Sequence, residues 1–402
     1  MAYYRRRGCT CKKKKCTCGA KWSFTIDIGI DPKTGDRKQK TKSGFATQEE
    51  AKLEAARILL EFKNGTYIDG GDVLFKDFAL TWFEKYKKSG KVKISTIQAR
   101  KCGMDHLLKE LSFIKLKDVV SRHIQDILDG MKDDDYSKSA IIGVHVVAKM
   151  IFDKAVEWKE VRENPVKYVT IPEFQKTVEE LENEEEETRY LEKEELSHFL
   201  KTVRERGKPN DPLIFTLLAY TGLRIGELCV LKWKDIDLIA RTISITKTYY
   251  NKGKTDEYLL LPPKTPKSRR TIDFDEILID LFEAHMAKQK RLMMKYRKTY
   301  LDEGYVFVVE NNKYPGYPIS PHYVRGRMTR LLKRAELDET LTPHSLRHTH
   351  TSLLAEARVE LPAIMERLGH EDDATTKKIY LHVTKAIKRE ASQRFSELMR
   401  SI

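Results

Sequence analysis

The chain reads as three units of different class: a small basic ββα-type domain, an all-α helical bundle, and a mainly α domain with a small antiparallel sheet. Three observations predict this multidomain organisation. At 402 residues the chain is longer than one ordinary core organises. Its hydrophobic period changes from two to about 3.6 near residue 47. A run of glutamates, Glu179, Glu180, Glu182 and Glu184 to Glu187, then separates the helical middle from the rest. Like charges at that density repel and hold a segment extended, so 173–187 reads as a linker. The implied divisions are 1–67, 68–172, the linker 173–187, and 188–402.

With 75 Lys and Arg against 60 Asp and Glu, the formal net charge is +15 and the pI about 9.3. Such an excess favours a polyanionic partner, of which nucleic acid is the commonest. Simple solubility or an anionic membrane surface are the other readings of a lysine surplus. No apolar run approaches the roughly 20 residues that span a bilayer, and the N-terminus lacks the apolar core of a signal peptide, so a cytoplasmic location is expected.

The N-terminal unit is the most basic. Residues 1–67 carry 16 basic and 7 acidic residues, and 1–21 carry eight cations, among them Arg5, Arg6 and Arg7, with no acid. Trp22-Ser-Phe-Thr-Ile-Asp-Ile-Gly29 alternates with period two, Asp31-Pro-Lys-Thr-Gly35 supplies a turn, and Arg37 to Ser43 forms a polar return strand bearing Lys38 and Lys40. Thr47, with Glu50 three residues on, makes a capping box for a helix that runs to about Phe62. Four cysteines, Cys9, Cys11, Cys16 and Cys18, fall within ten residues. In a reducing compartment they make a candidate zinc site, although the spacing departs from the usual knuckle; an unpaired set is the alternative. Cys102 and Cys229 read as small core residues.

Four helical segments follow. Phe75, Phe78, Ala79, Trp82, Phe83 and Tyr86 recur at spacings of three and four, and Ser95–Leu108, Ser121–Met131 and Ser137–Glu160 complete a bundle. Lys87, Lys88, Lys91, Lys93 and Lys101 gather near the first helix junction, where they form either a solvated face or a track for phosphates.

In the third unit, Leu191–Arg204 and Asp211–Tyr220 read as helices. Thr221-Gly222 ends the second, and Arg224 opens a further helix to Leu231. Arg224 therefore stands where a helix N-terminus and a guanidinium fork can face one anion, unless Glu227 merely pairs with it. Three short antiparallel strands are expected within 241–248, 257–262 and 268–274, with Pro263-Lys-Thr-Pro-Lys-Ser-Arg-Arg270 in the last turn. Helices over 275–296 and 322–335 flank a buried strand at Tyr305–Val309. Thr342 and Pro343 then start a helix that sets His344 and Arg347 on one face, away from an apolar side of Leu346, Leu353 and Ala357. An isolated H-x-x-R is more often an ordinary surface helix. Here Leu368-Gly-His370 follows, and Tyr380 stands ten residues after His370.

Arg224, His344, Arg347, His370 and Tyr380, in this order and spacing, resemble the tyrosine recombinases, specifically the phage and conjugative-transposon integrases. The resemblance implies that the first unit is an arm-type DNA-binding domain, the second a core-binding domain that clamps DNA, and the third catalytic, together the tyrosine recombinase fold. It aligns Lys264 with the family's catalytic lysine; Lys267 is the rival within the same turn. It also implies a homotetramer on double-stranded DNA attachment sites, accessory excision or host DNA-bending proteins, and a C-terminal helix over 385–402 that docks either on a neighbouring protomer or on its own domain. The expected DNA contacts are Arg5, Arg6, Arg7, Lys38, Lys40, Lys87, Lys88, Lys91 and Lys93.

These residues support a chemistry without ATP or a catalytic metal. A tyrosine oxygen that forms a covalent phosphodiester conserves the bond energy for religation. Arg224 and Arg347 suit the non-bridging oxygens of the pentacoordinate transition state, and His370 adds a hydrogen bond. His344 is placed to take the tyrosine proton, because imidazole ordinarily titrates near neutrality, and Lys264 to return one to the leaving 5′-oxygen. No P-loop appears, which disfavours an NTPase. The expected function is a site-specific recombinase working through a 3′-phosphotyrosyl link; the alternatives are a non-catalytic DNA-binding regulator on the same scaffold or a type IB topoisomerase-like enzyme.

Overall fold

The computed structural model describes residues 2–6, 8, 18–30, 36–63, 72–90, 92–174, 190–251, 253–263, 268–369, 374–383 and 399–400. They belong to two compact units, Met1–Gln175 and Lys176–Ile402. The expected linker lies almost wholly outside the described residues, as does the expected tail helix apart from 399–400.

The first unit opens with an antiparallel sheet in the order β1 (Ala2–Arg6), β2 (Trp22–Ile30), β3 (Arg37–Phe45), backed by α1 (Gln48–Lys63). Phe24, Ile26 and Ile28, on one face of β2 by the period of two, bury against Ala51, Ala55 and Ile58 of α1. The capping box forms: the Glu50 amide donates to Thr47 Oγ1 at 3.1 Å, and the Thr47 amide to Glu50 Oε2 at 3.3 Å. Strand β1 goes beyond the ββα reading. It pairs from Ala2 with Ile26 to Arg6 with Trp22 and makes β2 the central strand. Five residues with two cations carry too little apolar alternation to be legible as a strand alone.

Four helices follow: α2 (Phe75–Lys88), α3 (Ile94–Leu111), α4 (Ser121–Asp133) and α5 (Lys138–Glu157). Phe75, Phe78, Trp82, Leu107, Leu128 and Ile151 are among the residues of their common core. Gly103 lets α3 approach α5, since a Cβ there would come within 2.8 Å of Val147 Cγ2. Cys102 corrects the core expectation: it is exposed, because α3 buries Gly103, Met104, Leu107 and Leu111 instead. Cys229 is buried, and burial pushes its thiol up.

The second unit contains α6 (Lys193–Arg206), α7 (Asp211–Thr221), the single turn α8 (Ile225–Leu228), α9 (Ile277–Lys295), α10 (Pro321–Arg334), α11 (Pro343–Glu356), α12 (Leu361–Leu368) and α13 over 374–383. Instead of three strands there are two small sheets. One has the order β4 (Ile236–Asp237), β5 (Thr242–Ile245), β8 (Arg270–Asp273); the other pairs β6 (Thr248–Asn251) with β7 (Tyr258–Leu261). The run that reads as one strand over 241–248 breaks at Thr246-Lys247, where the Lys247 ammonium is held by Asp235. The segment 305–308 is buried but is not a strand: Val306 donates to Leu231 and Ile319 donates to Phe307, so its bonds are divided between two neighbours.

Helix α7 is buried on nearly every side, and its N-terminal Asp211 is fixed by the buried Arg327 of α10, whose Nε donates to Oδ2 at 3.1 Å. Helix α11 packs on α7. It corrects the one-sided reading, because Ser345, Arg347, Thr349, His350, Thr351 and Ser352 are all buried while Ala357 is exposed. Each of these polar groups can enter only with a partner. Thr349 Oγ1, for example, accepts from the Leu191 amide at 3.0 Å. No helix among the described residues is long and apolar enough to cross a membrane.

Candidate active site

The site forms where α7 ends. Gly222 takes a left-handed conformation, φ 62°, and caps α7 through its amide to the Leu218 carbonyl. Its carbonyl accepts from Arg347 Nη1 at 2.6 Å, and the Leu368 carbonyl, at the end of α12, accepts from Arg347 Nη2 at 2.6 Å. One guanidinium fork thus ties together the Thr221-Gly-Leu-Arg224 segment, α11 and the approach to Gly369. Arg347 is buried, 2% exposed, so His344 and Arg347 are not a cationic pair turned outward together. Only His344 is exposed, with its ring edge-to-face with His348 at 4.7 Å.

Arg224 is the N-cap of α8 and about one-third exposed. Its amide and its Nη1 each donate to Glu227, at 3.0 Å. The same carboxylate accepts from Arg270 Nη1 at 3.2 Å and Nη2 at 2.9 Å. Burial raises the Glu227 carboxyl, but Arg270 and Arg224 outweigh it and hold the group below the ordinary carboxylate range. A single anion therefore steadies two guanidiniums, and the cluster keeps a net positive charge. Arg270 also donates Nε to the Arg367 carbonyl at 2.8 Å, which binds β8 to α12.

His350 lies behind this layer. Nδ1 meets the Ala219 carbonyl at 2.9 Å, and Nε2 accepts from Arg367 Nε at 3.2 Å, which fixes a neutral ring with its proton on Nδ1. Burial and the neighbouring Arg367 push its pKa down to about 3. Arg367 in turn donates Nη1 to Asp273 Oδ1 at 2.8 Å.

Tyr380, on α13, packs against the small cluster of Ala355, Ile364, Leu368 and Val383 and is half-buried there. Lys264, its rival Lys267 and His370 lie outside the described residues. So do Arg7, Lys91, Cys9, Cys11 and Cys16; Cys18 is exposed. Among the described residues no group of three or more His, Cys, Asp or Glu could hold a metal ion. Arg5, Lys38, Lys87, Lys88 and Lys93 are exposed, while Arg6 and Lys40 are half-buried. The sequence reading gave no role to Arg270, His350 or Arg367. Arg270 stood in plain view at the end of the basic run that leads into β8, but only the tertiary structure pairs it with Glu227.

Residues 189–386 match the Phage integrase family, and residues 12–62 match the Arm DNA-binding domain. A tyrosine recombinase XerC-like protein of Caldanaerobacter subterraneus is 30% identical over 94% of this chain and 96% of its own length. The prophage ps2 probable integrase of Lactococcus lactis is 31% identical over 78% of this chain and 80% of its own. The Tn1549 transposon integrase, solved with transposon right end DNA, superposes with a TM-score of 0.61 at 24% identity, across 79% of this chain and 99% of that one. A lambda integrase dimer bound to a COC′ core site gives 0.52 at 18% identity, across 90% and 92%. These two likenesses show the tyrosine recombinase fold. The relatives and the fold together define the class, an enzyme of site-specific DNA recombination. The chain belongs to the phage integrase family.

Proposed function

We propose that this recombinase cuts and rejoins duplex attachment sites through a covalent 3′-phosphotyrosyl link to Tyr380, integrating or excising a mobile element. The observation that carries the reading is the Arg347 fork, which joins the Gly222 and Leu368 carbonyls and so brings three distant motifs to one place. Arg224, steadied by Glu227, reaches one non-bridging oxygen and Arg347 stands beside the other, offsetting charge that grows in the transition state. His370 adds a hydrogen bond. His344 takes the tyrosine proton, and Lys264, or Lys267 in its place, returns one to the leaving 5′-oxygen. Religation reverses these steps, so neither ATP nor a catalytic metal enters.

Residues 1–67 grip accessory DNA with Arg5, Arg6, Arg7, Lys38 and Lys40. Residues 68–172 hold the core duplex with Lys87, Lys88, Lys91 and Lys93, and 188–402 carry out the chemistry within a homotetramer. A supercoiled plasmid carrying the attachment site tests the reading. Wild-type protein is expected to leave a covalent protein-DNA adduct, whereas Tyr380→Phe binds the plasmid equally and leaves none. An adduct from that variant would place the nucleophile elsewhere.

A further inference from the structure

The last turns of α9 and the residues after them carry Lys288, Lys290, Arg291, Lys295, Arg297 and Lys298, and no acid occurs between Glu283 and Asp302. Some exposed helix cations elsewhere are answered on their own surface, such as Arg57 by Glu54 and Glu61, Lys154 by Glu157, and Lys87 by Glu84. Here only Lys288 is answered, by Glu310 at 2.7 Å. Among the described residues Lys290, Arg291, Arg297 and Lys298 have no carboxylate partner and are exposed. Arg291 and Lys295 stand four apart on the helix, a like-charge spacing that destabilises an isolated helix. The face also carries Met294, 70% exposed. The loop beside it is held in place, since Tyr296 Oη donates to Asn312 Oδ1 at 2.7 Å, and that loop adds Lys313.

This surface is separate from the active site. Lys288 bonds Asn210 Oδ1, next to the start of α7, whereas Arg347 bonds Gly222 at its end. The 11 residues of α7 put about 16 Å between those two places at 1.5 Å per residue.

We infer that the α9 surface is a second DNA-backbone site, which takes a duplex other than the one being cut. Retained self-repulsion is relieved only by an anion, and a duplex, with one phosphate charge per roughly 1.7 Å of axis, is the anion this enzyme handles. Recombination brings two duplexes to one assembly, so a non-specific hold on the partner duplex suits the patch. A lysine in the last turn also complements the helix dipole, but that accounts for Lys295 alone. The inference rests on the chain's acting on duplex DNA, and not on which residue attacks it.

The test uses full-length protein bound to a duplex limited to its core site, then offered a second, labelled duplex of unrelated sequence. Two readouts are taken: crosslinking from a photoreactive side chain at position 294, and the salt dependence of capture. The wild-type background should crosslink the second duplex. Lys290→Gln, Arg291→Gln and Lys298→Gln combined should weaken its capture roughly tenfold and flatten the log-log salt slope by about 2 to 3. Binding of the core duplex and adduct formation should be unchanged. Absence of crosslinks together with an unchanged slope overturns the inference. So does parallel loss of core binding, which would make α9 part of the grip on the cut site. If the wild type forms no adduct at all, the catalytic reading fails while the crosslink still decides this one.

Discussion

His350 illustrates how much of the site's chemistry hides in a residue that sequence alone gives no reason to choose. Its folded pKa of about 3 lies below the ordinary 6.5. As pH falls through that interval, the unfolded chain takes up a proton that the folded chain refuses, so stability is full above about 6.5 and is lost progressively toward 3. Glu227, held low by Arg270 and Arg224, adds a loss of the same sign only at the acid end. His350→Asn keeps an amide donor for the Ala219 carbonyl, near the place of Nδ1, and removes the titration. We therefore expect urea midpoints of the variant to change less between pH 7 and pH 5 than those of the wild type, and an equally steep change would contradict the assignment. Arg224 and Arg347 could be nominated from the sequence because their order and spacing with His344, His370 and Tyr380 resemble a known family. Their partners, carbonyls at 222 and 368 and the Arg270-Glu227 pair, were not, since nothing local distinguishes them.

At the scale of elements, periodicity located the helices well where they pack on one side, as α2 does with its aromatic face, and poorly where they are surrounded. Helix α11 buries six polar residues that a hydrophobic count places outside. The small sheets were misjudged for the related reason that strands of four residues or fewer take their pairing from distant partners. Gly222 shows an element boundary whose residue type is forced. An alanine there would pay for a left-handed backbone, and its Cβ would stand 2.8 Å from both His350 Cδ2 and Leu368 Cδ2. Gly222→Ala is expected to cost about 2 to 4 kcal/mol. Gly130, inside α4, has nothing within 4 Å of such a Cβ, so Gly130→Ala should stabilise by about 0.5 to 1 kcal/mol. Denaturant titration of the two variants checks both signs.

For the whole molecule, composition and the change of period anticipated a basic sheet module, a helical bundle and a mainly helical unit with small antiparallel sheets, each with its own apolar cluster. If residues 1–67 serve accessory sites, their deletion abolishes recombination of full attachment sites and spares cleavage of a minimal core. Equal loss of both activities would assign the module to the core grip. The same pair of proteins addresses the cysteines: equimolar zinc in the full chain and none in the truncated one is the outcome the four-thiolate reading requires.

Among the described residues, helix α13 adds Val383 and Tyr380 to a small satellite cluster with Ala355, Ile364 and Leu368, apart from the main core. Opening this helix exposes Thr376, Ile379, Val383 and the ring of Tyr380. Its backbone amides should therefore exchange with deuterium at a free energy well below that of global unfolding. Ile379→Ala should speed that exchange within 374–383 while protection of α7 and α11 stays unchanged. Tyr380, the proposed nucleophile, would then be a group whose availability is set by a local folding equilibrium, and DNA that closes the equilibrium would slow exchange there first.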